Sequence, residues 1–217
     1  GLAVAEGRRP AVAAMGTTFL VAWENGGSIL AKRLDVDAEA LKVAPGTEPA
    51  VTSNDAGFWI ASRTPGRNIQ LSAVGGATIP LGSDASTAPG IARDGNALIV
   101  GWDEHTKRIE EGVVTPLPDV DFNHAKSAPA IADASMILRL TPQPDTTYKS
   151  YISTAIGQPI ARGDATQRRP VTAFDGRRFL VVWEELRTDF ESPTIWATFV
   201  ERGEPSAPFE LGAGERP

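Results

Sequence analysis

Apolar positions along this chain come in short β-rich runs separated by turn residues, and the runs repeat. Four segments share a Pro, a small apolar run, a turn and then a run of branched and aromatic residues: Pro10-Ala11-Val12-Ala13 leading to Phe19-Leu20-Val21-Ala22-Trp23-Glu24, Pro49-Ala50-Val51-Thr52 to Phe58-Trp59-Ile60-Ala61-Ser62, Pro89-Gly90-Ile91-Ala92 to Leu98-Ile99-Val100-Gly101-Trp102-Asp103, and Pro170-Val171-Thr172-Ala173 to Phe179-Leu180-Val181-Val182-Trp183-Glu184. A degenerate copy runs from Pro129-Ala130-Ile131-Ala132 to Met136-Ile137-Leu138-Arg139-Leu140. The marker prolines stand at 10, 49, 89, 129, 170 and 217, in steps of 39, 40, 40, 41 and 47. A fixed period of that length is the mark of a repeat architecture.

Each unit reads as four strands. In the first they are Ala11–Ala14, Thr18–Glu24, Ser28–Leu34 and Leu41–Ala44, with turns at Met15-Gly16 and Asn25-Gly26-Gly27. The first turn recurs as Asp94-Gly95 and Asp175-Gly176, dipeptides that accept positive φ. The second strand is apolar on both faces, which suits a sheet between two others. The fourth strand recurs at Thr78–Leu81, Val120–Phe122, Gln158–Ala161 and Phe209–Leu211, and Leu2–Ala5 has the same character. No segment carries a long 3.6-residue apolar stripe. Four strands per forty-residue unit match a propeller blade. The expected fold is therefore all-β, a five-bladed β-propeller of four-stranded antiparallel blades closed by a terminal strand. Residues 1–217 then form one domain, with repeats at about 10–48, 49–88, 89–128, 129–169 and 170–216 and with 1–7 as the closing outer strand; the C-terminal copy is the alternative closing strand.

Composition narrows the function classes. The formal charge of −6, from 21 Lys and Arg against 27 Asp and Glu, argues against a general nucleic-acid surface. Without cysteine there is neither a disulfide framework nor a thiolate metal site. No apolar run is long enough for a membrane-spanning helix, so membrane insertion is not expected. The start lacks a basic region followed by an apolar core, and lacks Met. It reads as a mature or excised piece without a signal peptide, with further domains of the same precursor as possible neighbours.

The pattern Pro-x-Val-Ala, Asp-Gly, Phe-Leu-Val-Val-Trp-Glu, quoted from Pro170 to Glu184, resembles the propeller-like repeats of secreted or surface proteins of bacteria and, more loosely, TolB-type blades. The resemblance implies an extracellular or cell-surface location. If strand order follows such blades, the loops before each marker Pro and those after each Trp-acid pair share a face. That face collects Arg8, Arg9, Glu48, Arg168 and Arg169 from the first set, and Glu24, Asn25, Arg63, Asp103, Glu104, His105, Glu184 and Glu185 from the second. A few convergent polar groups in a depression suffice to hold a sugar or a polar peptide. The plainer account of the same residues is surface ion pairing.

Trp23, Trp102 and Trp183 occupy one position in three blades. They could stack on sugar rings, but Phe19, Val21 and Trp23 alternate onto one face, which favours packing between blades. Trp59 falls outside that register and is kept as a candidate surface aromatic. A glycosidase needs two carboxylates near the axis, and Glu48 and Asp84 with Asp133 make a thin set. His105 and His124 have no patterned partner for metal binding, and Asp35–Glu39 and Asp119–Asp121 lack the spacing of a calcium loop. The expectation is a non-catalytic module that binds a carbohydrate or protein ligand without a cofactor. Its ligand-binding candidates are Arg9, Glu24, Glu48, Trp59, Arg63, Asp103, His105, Arg169, Glu184 and Glu185. A structural spacer is the first alternative and a glycoside hydrolase-like propeller the second.

Overall fold

In the computed structural model the described residues are 6–34, 39–103, 105–117, 130–133, 136–142, 150–154, 159–161, 165–174, 177–186 and 193–213. They contain strands and no helix, arranged in five antiparallel sheets. The first sheet holds β1 (Arg8–Met15), β2 (Thr18–Asn25), β3 (Ser28–Arg33) and β4 (Leu41–Pro45). The second holds β5 (Thr47–Asn54), β6 (Gly57–Arg63), β7 (Ile69–Ala73) and β8 (Thr78–Gly82). The third holds β9 (Gly90–Asp94), β10 (Ala97–Trp102), β11 (His105–Glu110) and β12 (Val113–Pro116). The fourth holds β13 (Ala130–Asp133), β14 (Met136–Pro142), β15 (Ser150–Thr154) and β16 (Pro159–Ala161). The fifth holds β17 (Thr166–Phe174), β18 (Phe179–Leu186), β19 (Thr194–Glu201), β20 (Glu204–Pro205) and β21 (Phe209–Ala213). Each of the first four is a meander in chain order, and the fifth begins as one.

One expectation is corrected. The fourth strand of the third sheet is Val113–Pro116, whereas the sequence reading placed it at 120–122, which lies outside the described residues. The reason is a two-residue turn at Glu111-Gly112, both at positive φ (50° and 81°), which folds the chain back immediately after β11. In the fifth sheet the outer place beside β19 is filled by the C-terminal pieces β20 and β21, with Val200 opposite Pro205 and Ala197 opposite Phe209. The Leu2–Ala5 copy expected as the closing strand lies outside the described residues.

The chain divides into two compact units, Gly1–Trp102 with Thr106–Leu117, and Asp103–His105 with Pro118–Pro217. In the first unit the leading strands of consecutive sheets lie side by side, β1 against β5 and β5 against β9. Ser53 Oγ donates to the Ala14 carbonyl across that seam at 2.7 Å. The core is built from the two faces of each second strand. Leu20 and Ala22 of β2 meet Phe58 and Ile60 of β6, and Ala61 behind them joins Leu98, Val100 and Trp102 of β10. In the second unit Phe179, Val181 and Trp183 of β18 bury against Leu138, Ile152 and Ile160. The alternation read from the sequence thus separates a face toward the preceding sheet from a face toward the following one.

The end of β8 is shaped to take the aromatic of the next sheet. A Cβ on Gly82 would stand 2.5 Å from Cζ2 of Trp102, so only glycine allows β8 to approach that ring. Gly7, just before β1, lies equally close to Trp23 of β2, where a Cβ would overlap Cδ1. The first sheet keeps apolar surface open at Val12, Phe19 and Leu41, and Phe19 is 50% exposed where its equivalents Phe58, Leu98 and Phe179 are buried.

Candidate functional site

The charged residues singled out from the sequence are assembled by one local device, present in three sheets. Arg8 pairs with Glu24 but Ala11 with Ala22, so β1 carries one extra residue there. The same slip separates Thr47/Arg63 from Ala50/Ala61 in the second sheet and Arg168/Glu184 from Val171/Val182 in the fifth. These are β-bulges, and each contains a marker proline. A bulge tolerates proline because the extra residue has no ladder bond to lose. The residue before that proline adopts positive φ in all three: 51° at Arg9, 56° at Glu48 and 50° at Arg169. A long charged side chain in the left-handed region is unfavourable by about 1 kcal/mol or more, so the surrounding ladder and ion pairs must hold it there.

In each case the held side chain meets a residue of opposite charge at the end of the second strand of its own sheet. Arg9 Nη1 reaches Glu24 Oε2 at 3.0 Å. Arg169 Nη1 reaches both oxygens of Glu184, at 2.8 and 3.1 Å, and Arg168 Nε adds a third contact at 2.6 Å. The second sheet reverses the polarity: Glu48 is the bulge residue, and it pairs with Arg63 at 2.7 Å. That reversal joins two sheets, since Glu48 also lies 3.6 Å from Arg9 and its backbone N–H donates to Glu24 Oε2 at 3.4 Å. Arg63 Nη1 donates in addition to the Ser86 carbonyl at 3.3 Å.

Burial differs between the clusters. The Glu184 carboxylate is completely covered, while Arg168 and Arg169 keep 36% and 45% of their side-chain surface exposed. Glu24 and Glu48 retain 17% and 16%. A fully buried carboxylate is tolerable only when charge-paired and hydrogen-bonded, and the two guanidiniums of the bulge provide both. Glu185, beside it, is half-buried and lies opposite Gln167.

The remaining candidates are not residues of the bulges. β9 opens at Gly90, just after its proline, so the third sheet has no equivalent bulge. Asp103 follows Trp102 at φ 44° and His105 opens β11. Trp59 is half-buried, packs against the second cluster of the first unit, and donates its indole N–H to Asn54 Oδ1 at 3.0 Å. Asn54 in turn holds Ala56 N–H and the Asn96 carbonyl, so Trp59 belongs to a turn-stabilising network. Trp23, Trp102 and Trp183 are 4%, 1% and 1% exposed, which removes them as stacking platforms. Among the described residues no three His, Asp or Glu side chains cluster as metal ligands.

The bulge itself was not read from the sequence, where Arg8, Arg9, Glu48, Arg168 and Arg169 were assigned to loops. All five are recognisable in the sequence as charged residues before a strand-initial proline; the register that sets each against its opposite number at the end of the following strand is not.

No protein-family model and no curated protein matches the chain. Among solved structures it is similar to the acylaminoacyl peptidase of Pyrococcus horikoshii, with a TM-score of 0.52 and 15% identity over 94% of this chain and 38% of that one. It is also similar to a mutant of the GH43 protein BlXynB from Bacillus licheniformis, with a TM-score of 0.44 and 12% identity over 97% and 57%, and to apo AztD from Citrobacter koseri, at 0.44 and 11% over 92% and 71%. The chain thus spans 38% of the length of the peptidase. At that identity the likeness to the peptidase is one of fold alone, and no activity passes with it. The two matches at 0.44 bear on neither fold nor function.

Proposed function

We propose that the chain is a non-catalytic binding module of the propeller type, whose five sheets are blades of one domain and whose ligand, a carbohydrate or a protein, is met at the sheet edge carrying the bulges. The observation behind this reading is the bulge repeated in three sheets, each holding a charged side chain at positive φ against an opposite charge. Bulges that re-aim side chains are over-represented at functional edges, and backbone strain that persists marks places where a side chain must be held. Pre-arranged donors and acceptors reduce the ordering cost of binding. An exported, bacterial setting follows from the sequence resemblance.

The test is an array carrying neutral and acidic glycans together with peptides, read at two ionic strengths. A hit that weakens about fivefold in Arg9→Ala, with unchanged folding, supports the reading. Silence across the array points to a spacer role, and hydrolysis of a chromogenic glycoside lost in Glu48→Gln would point to an enzyme.

A further inference from the structure

The Arg-Arg-Pro bulge occurs twice, at Arg8-Arg9-Pro10 facing Glu24 and at Arg168-Arg169-Pro170 facing Glu184, and the two copies differ in what they hold. In the first sheet the pre-proline guanidinium takes two carboxylates. One is Glu24 of its own sheet at 3.0 Å; the other is Glu48, delivered by the bulge of the second sheet, at 3.6 Å. In the fifth sheet Arg169 commits Nη1 to Glu184 and Arg168 commits Nε, and among the described residues no second carboxylate reaches either. Nε and Nη2 of Arg169, and both terminal nitrogens of Arg168, remain on half-exposed side chains. Among the described residues, one buried carboxylate faces two guanidiniums.

We propose that this face of the fifth sheet binds the side-chain carboxylate of an acidic peptide, in the manner in which Glu48 is seated on Arg9. The proposal rests on the binding-module reading and names the ligand class for one of its edges. Three features carry it. The guanidinium fork matches a carboxylate in geometry and charge. Glu184 fixes both forks from behind, so little freedom is lost when a second carboxylate arrives. The seated example on the equivalent arginine is itself a protein carboxylate, which favours a peptide over a charged sugar.

The probe is hexaglutamate, with hexaglutamine as the neutral control, titrated into the full chain by calorimetry and followed at the arginine Nε–H resonances. Binding is expected for hexaglutamate alone, should weaken as salt is raised, and should fall about fivefold in Arg168→Gln, a variant that leaves Glu184 its partner Arg169. Glu48→Gln removes the carboxylate seated on Arg9, and in that variant a second hexaglutamate should bind. Failure of hexaglutamate to bind, or wild-type stoichiometry in Glu48→Gln, overturns the proposal. Binding of oligogalacturonate in place of hexaglutamate overturns the peptide assignment. A neutral glycan hit with hexaglutamate silent would leave the binding-module reading standing and dispose of this one.

Discussion

Replacing Arg169 separates an ion pair that stabilises the protein from one that only decorates it. Glu184 has no exposed side-chain surface, so its charge cannot turn to water when a partner is removed. Orphaning a buried charge costs about 3–5 kcal/mol, but Arg168 stays in place at 2.6 Å and both guanidiniums are partly solvated, which roughly halves the loss. Arg169→Ala is therefore expected to destabilise by about 2 kcal/mol. Arg169→Gly loses the same contacts but relieves a non-glycine φ of 50°, recovering about 1 kcal/mol. Arg9→Ala should cost less than about 1 kcal/mol, because Glu24 keeps 17% of its surface in water and Glu48 keeps Arg63. Surface ion pairing would make both arginines nearly neutral to stability, and the burial of Glu184 is why only Arg9 should be. The assay is urea unfolding with slopes compared across the variants, so that a shift in midpoint reports stability. If Arg169→Ala proves no more costly than Arg9→Ala, or Gly no better than Ala at 169, then either Glu184 is not a buried carboxylate or the bulge is not strained, and the reasoning fails.

Two further outcomes follow from packing. Gly82→Ala should destabilise by about 1–3 kcal/mol through overpacking against Trp102, read as a lowered thermal midpoint, whereas Gly95→Ala, whose Cβ would meet nothing, should act only through its φ of 60°. Trp59→Phe removes the hydrogen bond to Asn54 and should cost about 1 kcal/mol in urea unfolding, without altering any ligand affinity that depends on Arg9.

The repeat was legible because period and alternation are both carried by apolar residues whose burial is not optional. In the first sheet the expected Thr18–Glu24 and Ser28–Leu34 became Thr18–Asn25 and Ser28–Arg33, and the two-sided burial of β10 was implied by its run without a polar residue before Trp102. The leading strands of the three bulged sheets are longer than expected. The strand expected at Ala11–Ala14 is Arg8–Met15, because the proline that marks a strand start in the sequence sits inside a bulge. The missed hairpin at Glu111-Gly112 had no Asn or Asp to announce it, only a glycine after an acid at an exposed turn. For the candidate site, the identity of its charges and ion pairing among them were legible, but not which residue meets which. That depends on a one-residue slip in register, which moves a side chain to the opposite face of a strand.

That slip has a consequence for how such an edge can change. The residues downstream of each proline stay in phase with the buried lattice whatever stands before it, so the polarity of the rim is written independently of the interior. The second sheet, with acid and base exchanged, demonstrates the independence. A protein built this way can be re-addressed to a new ligand one sheet at a time, by editing two side chains and leaving its foundations untouched.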